Sequence, residues 1–280
     1  MDSKLPHLQQ STGNHRLVLV GSSGAPESGI CRAGVRRISR GFTMIELAIS
    51  IFIIALLLGT ILVPLQTQVE QRQVSESQKT LDDIKEALLG YAIATGHLPC
   101  PDRTTPGAGT ANDTANDGVE DFNTATGDCF SVAGTNPGNI PWVTLGLGAT
   151  DPWGNRFRYR VEANYARRAP GTPPNLGSAA NIIMCTTAPC AVRLTPTAPD
   201  GAVAVILSHG KNGYGAINAL TGNQQPLPTS ADELTNLGGP SYVSRTITPL
   251  GATAGEFDDI VTWLGKYTLF NRMVAAGQLP

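Results

Sequence analysis

Charge is what this chain has least of. Asp, Glu, Lys and Arg supply 15% of its 280 residues, where a soluble globular domain carries about 25%. What basic charge there is sits at one end. Lys4, Arg16, Arg32, Arg36, Arg37 and Arg40, set against Asp2 and Glu27, give residues 1–41 a net +4, which leaves −6 on the remainder of a chain whose total is −2. A mildly acidic body without a basic patch argues against nucleic acid as a partner. Catalytic patterns are missing too. The histidines are His7, His15, His97 and His209, and no GxSxG, HExxH or CxxC occurs. No nucleophile–base pair or metal-ligand spacing stands out, so the sequence gives no support to an enzyme.

Apolar sequence, by contrast, is concentrated. Leu47 to Leu65 reads LAISIFIIALLLGTILVPL, 19 residues without a charge, and extension back to Phe42 gives 24 residues with Glu46 as the one charge. About 20 apolar residues span a bilayer as a helix. Arg36, Arg37 and Arg40 precede the run, so its N-terminal side stays cytoplasmic and the body is sent outward. An ordinary secretory signal fits badly, because the run exceeds an h-region of about 7–15 residues and no small-x-small cleavage site follows it. A plain signal anchor accounts for the apolar run and the arginines but not for the residues at their border.

That border reads Arg37-Ile-Ser-Arg-Gly41-Phe42-Thr-Met-Ile-Glu46-Leu47. It resembles the type IV pilin and pseudopilin family, whose precursors carry a basic leader ending in Gly, then an aromatic residue, then a Glu four residues on, then the membrane helix. The resemblance implies that a prepilin peptidase cuts between Gly41 and Phe42 and methylates the new amine of Phe42. It also implies that Glu46 meets the N-terminal amine of a neighbouring subunit during assembly. Physical chemistry is in keeping with both roles. Gly41 lets a protease approach the backbone closely, and a carboxylate such as Glu46 inside an apolar span costs about 2.5–3.5 kcal/mol on the insertion scale, which marks it as functional. The competing reading has Glu46 snorkelling to the headgroups. A leader of 41 residues is long for this family. Gly21 to Gly29 has a linker composition, which points to translation starting at Val35.

Removal of residues 1–41 takes Cys31 with it and leaves Cys100, Cys129, Cys185 and Cys190. An even set in an extracytoplasmic body points to two disulfides, for which three connectivities exist. Sequence proximity favours Cys100–Cys129 with Cys185–Cys190. Four buried free thiols are the alternative.

Beyond the apolar run the helical pattern continues. Val74, Leu81, Ile84, Leu88 and Tyr91 recur on one face, and the helix should stop near Gly96, ahead of Pro99 and Pro101. From about Thr43 to Thr95 it would reach roughly 80 Å, with Pro64 kinking it. Residues 102–139 read as a polar loop in which Asn112-Asp113, Asn116-Asp117-Gly118 and Glu120-Asp121 crowd several carboxylates. Calcium could be held there, but the spacing is not that of an EF-hand, so a solvated loop is the stronger reading. Asp151-Pro-Trp-Gly-Asn155 is a turn signal, and Arg156 to Val161 alternates as a half-buried strand. The pair resembles the corresponding stretch of the major pseudopilin of type II secretion. That resemblance implies calcium held near an acidic pair, for which Asp258 and Asp259 are the candidates. The 43 residues between Gly215 and Asp258 depart from the pattern, and packing or capping roles are equal alternatives. Further strands are expected at 181–185, 191–195, 203–208 and 242–248, and a terminal helix over 260–276 with Leu264, Tyr267, Phe270, Met273 and Val274 on its apolar face.

The whole reads as an α+β, pilin-like fold: a leader (1–41), a transmembrane helix (42–65), its periplasmic continuation (66–97) and a β-rich periplasmic domain (98–280). The long helix packs on an antiparallel sheet and a short helix ends the chain. The expected partners are prepilin peptidase, other pilin or pseudopilin subunits and the inner membrane. The rival is a membrane-anchored periplasmic binding or adhesion module.

Overall fold

The structure is a computed structural model. It describes residues 41–105, 114–130, 137–166 and 174–279, and at 60–65 it describes the backbone alone. The leader arginines, Cys31, Asn112 and Asp113 lie outside the described residues, as does the side chain of Pro64. The elements in chain order are α1 (Met44–Thr95), β1 (Gly138–Asn139), α2 (Trp142–Leu145), β2 (Arg158–Val161), β3 (Ile183–Cys185), β4 (Ala202–Ser208), α3 (Ala231–Thr235), β5 (Ser241–Val243), β6 (Ile260–Gly265) and α4 (Lys266–Ala275). Two compact units divide the chain after Ala55.

In the first unit the described residues are the opening of α1. Its start is set by Thr43-Met-Ile-Glu46. The Thr43 hydroxyl oxygen accepts a hydrogen bond from the Glu46 amide at 3.3 Å, which satisfies one of the amides that a helix leaves unpaired at its N-terminus.

The second unit holds the rest of α1 and all later elements. α1 ends where Gly96 takes φ 83°, a left-handed geometry that glycine adopts without penalty. The face that meets the core is Leu81, Ile84, Leu88, Leu89 and Ala92, all buried. Val74 and Tyr91, expected on that face, are half-buried.

Four strands form an antiparallel sheet in the order β1-β2-β4-β6. Strand β4, Ala-Val-Ala-Val-Ile-Leu-Ser, is buried at all seven positions, as a central strand covered on both faces must be. Alternation sorts its side chains. Ala204 and Ile206 join the cluster that holds α1 and α4, while Val205 and Leu207 join a second cluster with Ile182, Met184 and Tyr242. The register slips between Ala202 and Ala204. That bulge inverts the alternation, so Val203 falls in the first cluster and Ala202 in the second.

Several sequence expectations need correction. Residues 260–265 form strand β6, paired with β4, rather than the start of the terminal helix. Ile260 and Leu264 are four apart, a spacing that suits a helix face and an even-numbered strand face equally, and the β-branched and aromatic residues between them favour the strand. The helix proper begins at Lys266 and buries Lys266, Leu269, Phe270 and Met273, leaving Tyr267 and Val274 exposed. Residues 191–195 make an isolated bridge from Arg193 to Cys185 instead of a strand. The strand expected over 242–248 stops at Val243 and pairs in parallel with β3, an arrangement outside the expected antiparallel sheet.

Candidate functional site

Among the described residues, no atom lies within 4 Å of where a Gly41 Cβ would stand, and Phe42 is 75% exposed. Every described residue from 42 to 59 is exposed except Ser50, and consecutive residues such as Ile51, Phe52, Ile53 and Ile54 are uncovered together. An apolar helix surface that is uncovered all round must be buried by lipid or by other chains. Glu46 stands in the first turn on this surface, with the Ser50 hydroxyl donating to its carbonyl at 2.7 Å. Among the described residues no helix is long and apolar enough to cross a membrane. The expected span of 42–65 runs partly through residues 60–65, whose side chains lie outside the description.

The four cysteines pair as Cys100–Cys129 and Cys185–Cys190, with Cα separations of 5.3 and 5.2 Å. Carboxylates of the polar loop organise the region around the first bridge. The Asp102 oxygens accept from the Asn116 amide at 2.9 Å and the Gly118 amide at 3.1 Å. Asp121 accepts from the Arg103 amide at 2.6 Å. Glu120 accepts from the Cys100 amide at 3.1 Å and the Tyr91 hydroxyl at 3.0 Å. Burial above all, with Asp121 adding to it, pushes the Asp102 carboxyl up to about 7. These acids hold backbone amides; they do not converge on a common point.

The turn at Asp151 works in the same way. Its Oδ1 accepts from the amides of Trp153 at 3.0 Å and Asn155 at 2.8 Å, and its Oδ2 accepts from the Ser208 hydroxyl at 2.7 Å. The turn motif thereby fixes the end of β4 and the segment 208–215 that follows.

Asp258 and Asp259 point to different partners. Asp259 is buried with both oxygens engaged, one 3.2 Å from His209 Nδ1 and the other accepting from Asn236 Nδ2 at 2.8 Å. Asn236 also donates to the Val243 carbonyl and accepts from the Val243 amide, so the network ties α3 to β5. Asp258 accepts from the Asn212 amide at 2.7 Å through Oδ2, while its Oδ1 is buried. Glu233 lies alongside. Its Oε1 accepts from the Asp258 amide at 3.1 Å and from Asn212 Nδ2 at 3.3 Å, and its Oε2 is buried. Burial raises Glu233 to about 7 and Asp258 to about 6. A calcium ion needs six to eight converging oxygens. Asp259 offers none that is free, and among the described residues no group of three or more His, Cys, Asp or Glu could hold a metal. The acidic pair therefore does not fit calcium as its ligand set.

Sequence reasoning missed His209, Glu233 and Asn236. His209 lies 50 residues from Asp259, and each looks like an ordinary turn or helix residue in its own neighbourhood, so no local pattern marks the cluster.

Comparison with known proteins places one part of the chain. Residues 36–62 match the family described as the prokaryotic N-terminal methylation motif, which marks the prepilin-type signals of type IV pilins and pseudopilins. No curated protein and no solved structure matches the chain.

Proposed function

We propose that the chain is a structural pilin-like subunit, a pseudopilin or minor pilin of a type II secretion or type IV pilus assembly. Prepilin peptidase cuts it between Gly41 and Phe42 and methylates the new amine on Phe42. The apolar start of α1 anchors it in the inner membrane, with the domain after it in the periplasm, and packs against the same segment of other subunits. Glu46 meets the freed amine of a neighbouring copy, a pairing that offsets the cost of placing a carboxylate among apolar side chains.

One observation carries the reading: the methylation-motif match on 36–62 runs straight into a helix start whose apolar residues are uncovered on every side. An assembly interface or a bilayer accounts for that exposure, and the motif selects the pilin-like route. The test is the mature N-terminus, read by mass spectrometry in hosts with and without the peptidase. N-methylated Phe42 is expected only with the enzyme, and a different start in that host refutes the proposal. Glu46→Ala separates this reading from a membrane-anchored binding or adhesion module. Membrane insertion is retained in both cases, while recovery in the assembled fibre falls at least tenfold only for a subunit.

A further inference from the structure

A cleft of about 490 Å³ opens beside α1 in the second unit, within the range of about 300–1,000 Å³ typical of ligand sites. Its apolar walls are Val74, Trp153, Ile247 and Leu250. Leu250 is 82% exposed, although an isolated domain gains nothing by leaving such a side chain in water. The cleft is also acidic. Lys211 is paired with Glu70, which leaves Glu256 and Asp258 as the uncompensated charges among its lining residues. Asp258 lines the cleft and accepts from the Asn212 amide through Oδ2, and a partly desolvated carboxylate gains from a cation that can also donate to it.

Two features choose the kind of cation. Hydrocarbon walls discourage a hydrated metal ion, and among the described residues no group of three or more metal-ligating side chains exists. An aliphatic stem suits Val74, Ile247 and Leu250, while a delocalised or alkylammonium head suits both a carboxylate and the face of an indole. We propose that the cleft binds the arginine or lysine side chain of a partner protein, with Asp258 as counter-ion and Trp153 and Leu250 as its apolar contacts. This site is independent of the processing and assembly roles assigned to Gly41, Phe42 and Glu46.

The experiment uses the full chain in detergent micelles at pH 7.5, titrated with acetyl-Leu-Arg-Leu-amide and followed by the indole N–H resonance of Trp153, assigned with Trp153→Phe. The matching citrulline peptide keeps the shape and removes the charge. Expected is saturable binding of the arginine peptide, at least tenfold weaker binding of the citrulline peptide, and about a tenfold loss in Asp258→Asn, which keeps the acceptor for Asn212. Leu250→Ser alters an exposed residue and leaves folding intact, and it should weaken binding about threefold. Equal binding of the two peptides overturns the proposal, as does wild-type affinity in both variants. Tighter binding of 1,5-diaminopentane than of the arginine peptide overturns the protein partner in favour of a free polyamine. Because every readout is made on the purified chain, none depends on whether it is processed or assembled.

Discussion

Removing the two disulfides one at a time should give unequal losses, and the inequality can be worked from chain length. Cys100–Cys129 closes a separation of 29 residues and Cys185–Cys190 one of 5. In the chain-entropy account a crosslink restricts the unfolded ensemble by about 2.1 + 1.5R ln n cal/mol/K, which gives about 3.6 kcal/mol for the long loop and about 2 kcal/mol for the short one at 25 °C. Cys100 and Cys185 are both fully buried, so truncation removes packing in each variant and the difference of about 1.5 kcal/mol is the expected inequality. The assay is urea unfolding of the full chain in micelles under non-oxidising conditions, comparing C100A/C129A with C185A/C190A by tryptophan fluorescence. A short-loop variant that loses as much stability as the long-loop one refutes the reasoning, and the effect of the bridges would then have to lie in native contacts.

Acid should stabilise the region around Glu233. Its carboxyl is raised from 4.5 to about 7 by burial first and by Asp259 next, and Asp258 is raised to about 6. The folded chain therefore holds protons that the unfolded chain has lost between about pH 4 and 7, so stability falls as pH rises through that window and levels off above it. Glu233→Gln should flatten the profile, as measured by urea midpoints from pH 4.5 to 8. Arg245 supplies another test. It donates to Asp232 at 2.6 Å, to Thr248 and to the carbonyls of Ala254 and Gly255, and it lies over Phe257. Arg245→Ala strands a mostly buried Asp232 carboxylate and should cost about 3–5 kcal/mol. Asp232→Asn in the same background should recover part of that loss, whereas a purely steric role for Arg245 predicts no recovery.

What could be read in advance was whatever depends on neighbours in sequence. The Thr43–Glu46 helix start, the buried stripe Leu81–Ile84–Leu88, the stop at Gly96 and the apolar run of β4 each follow from spacing within a turn or two. The Asp151 turn was also visible, but its bond to Ser208 was not, because nothing in either segment names the other. The same holds for His209 with Asp259 and Glu233 with Asp258, where separations of 50 and 25 residues are closed only by the tertiary fold. Strand β6 was misread for a different reason: even-numbered strand positions and helical fourth positions coincide at Ile260 and Leu264, and only the edge of β4 decides between them. Calcium at Asp258 and Asp259 rested on a resemblance, and the two neighbours turn to separate partners, Asn212 for Asp258 and His209 with Asn236 for Asp259.

Strand β4 is the party wall between two rooms, and the slip at Val203 only changes which room its first two residues enter. Residues on one side of it answer to α1, and those on the other answer to β3 and β5. Substitutions at Val205 or Leu207 can thus reshape the outer layer while the helix-bearing side stays as it is. Deleting Val203 would restore a regular ladder with Ala202 still on its own side, so the cost would be the one side chain lost from the helix-bearing room.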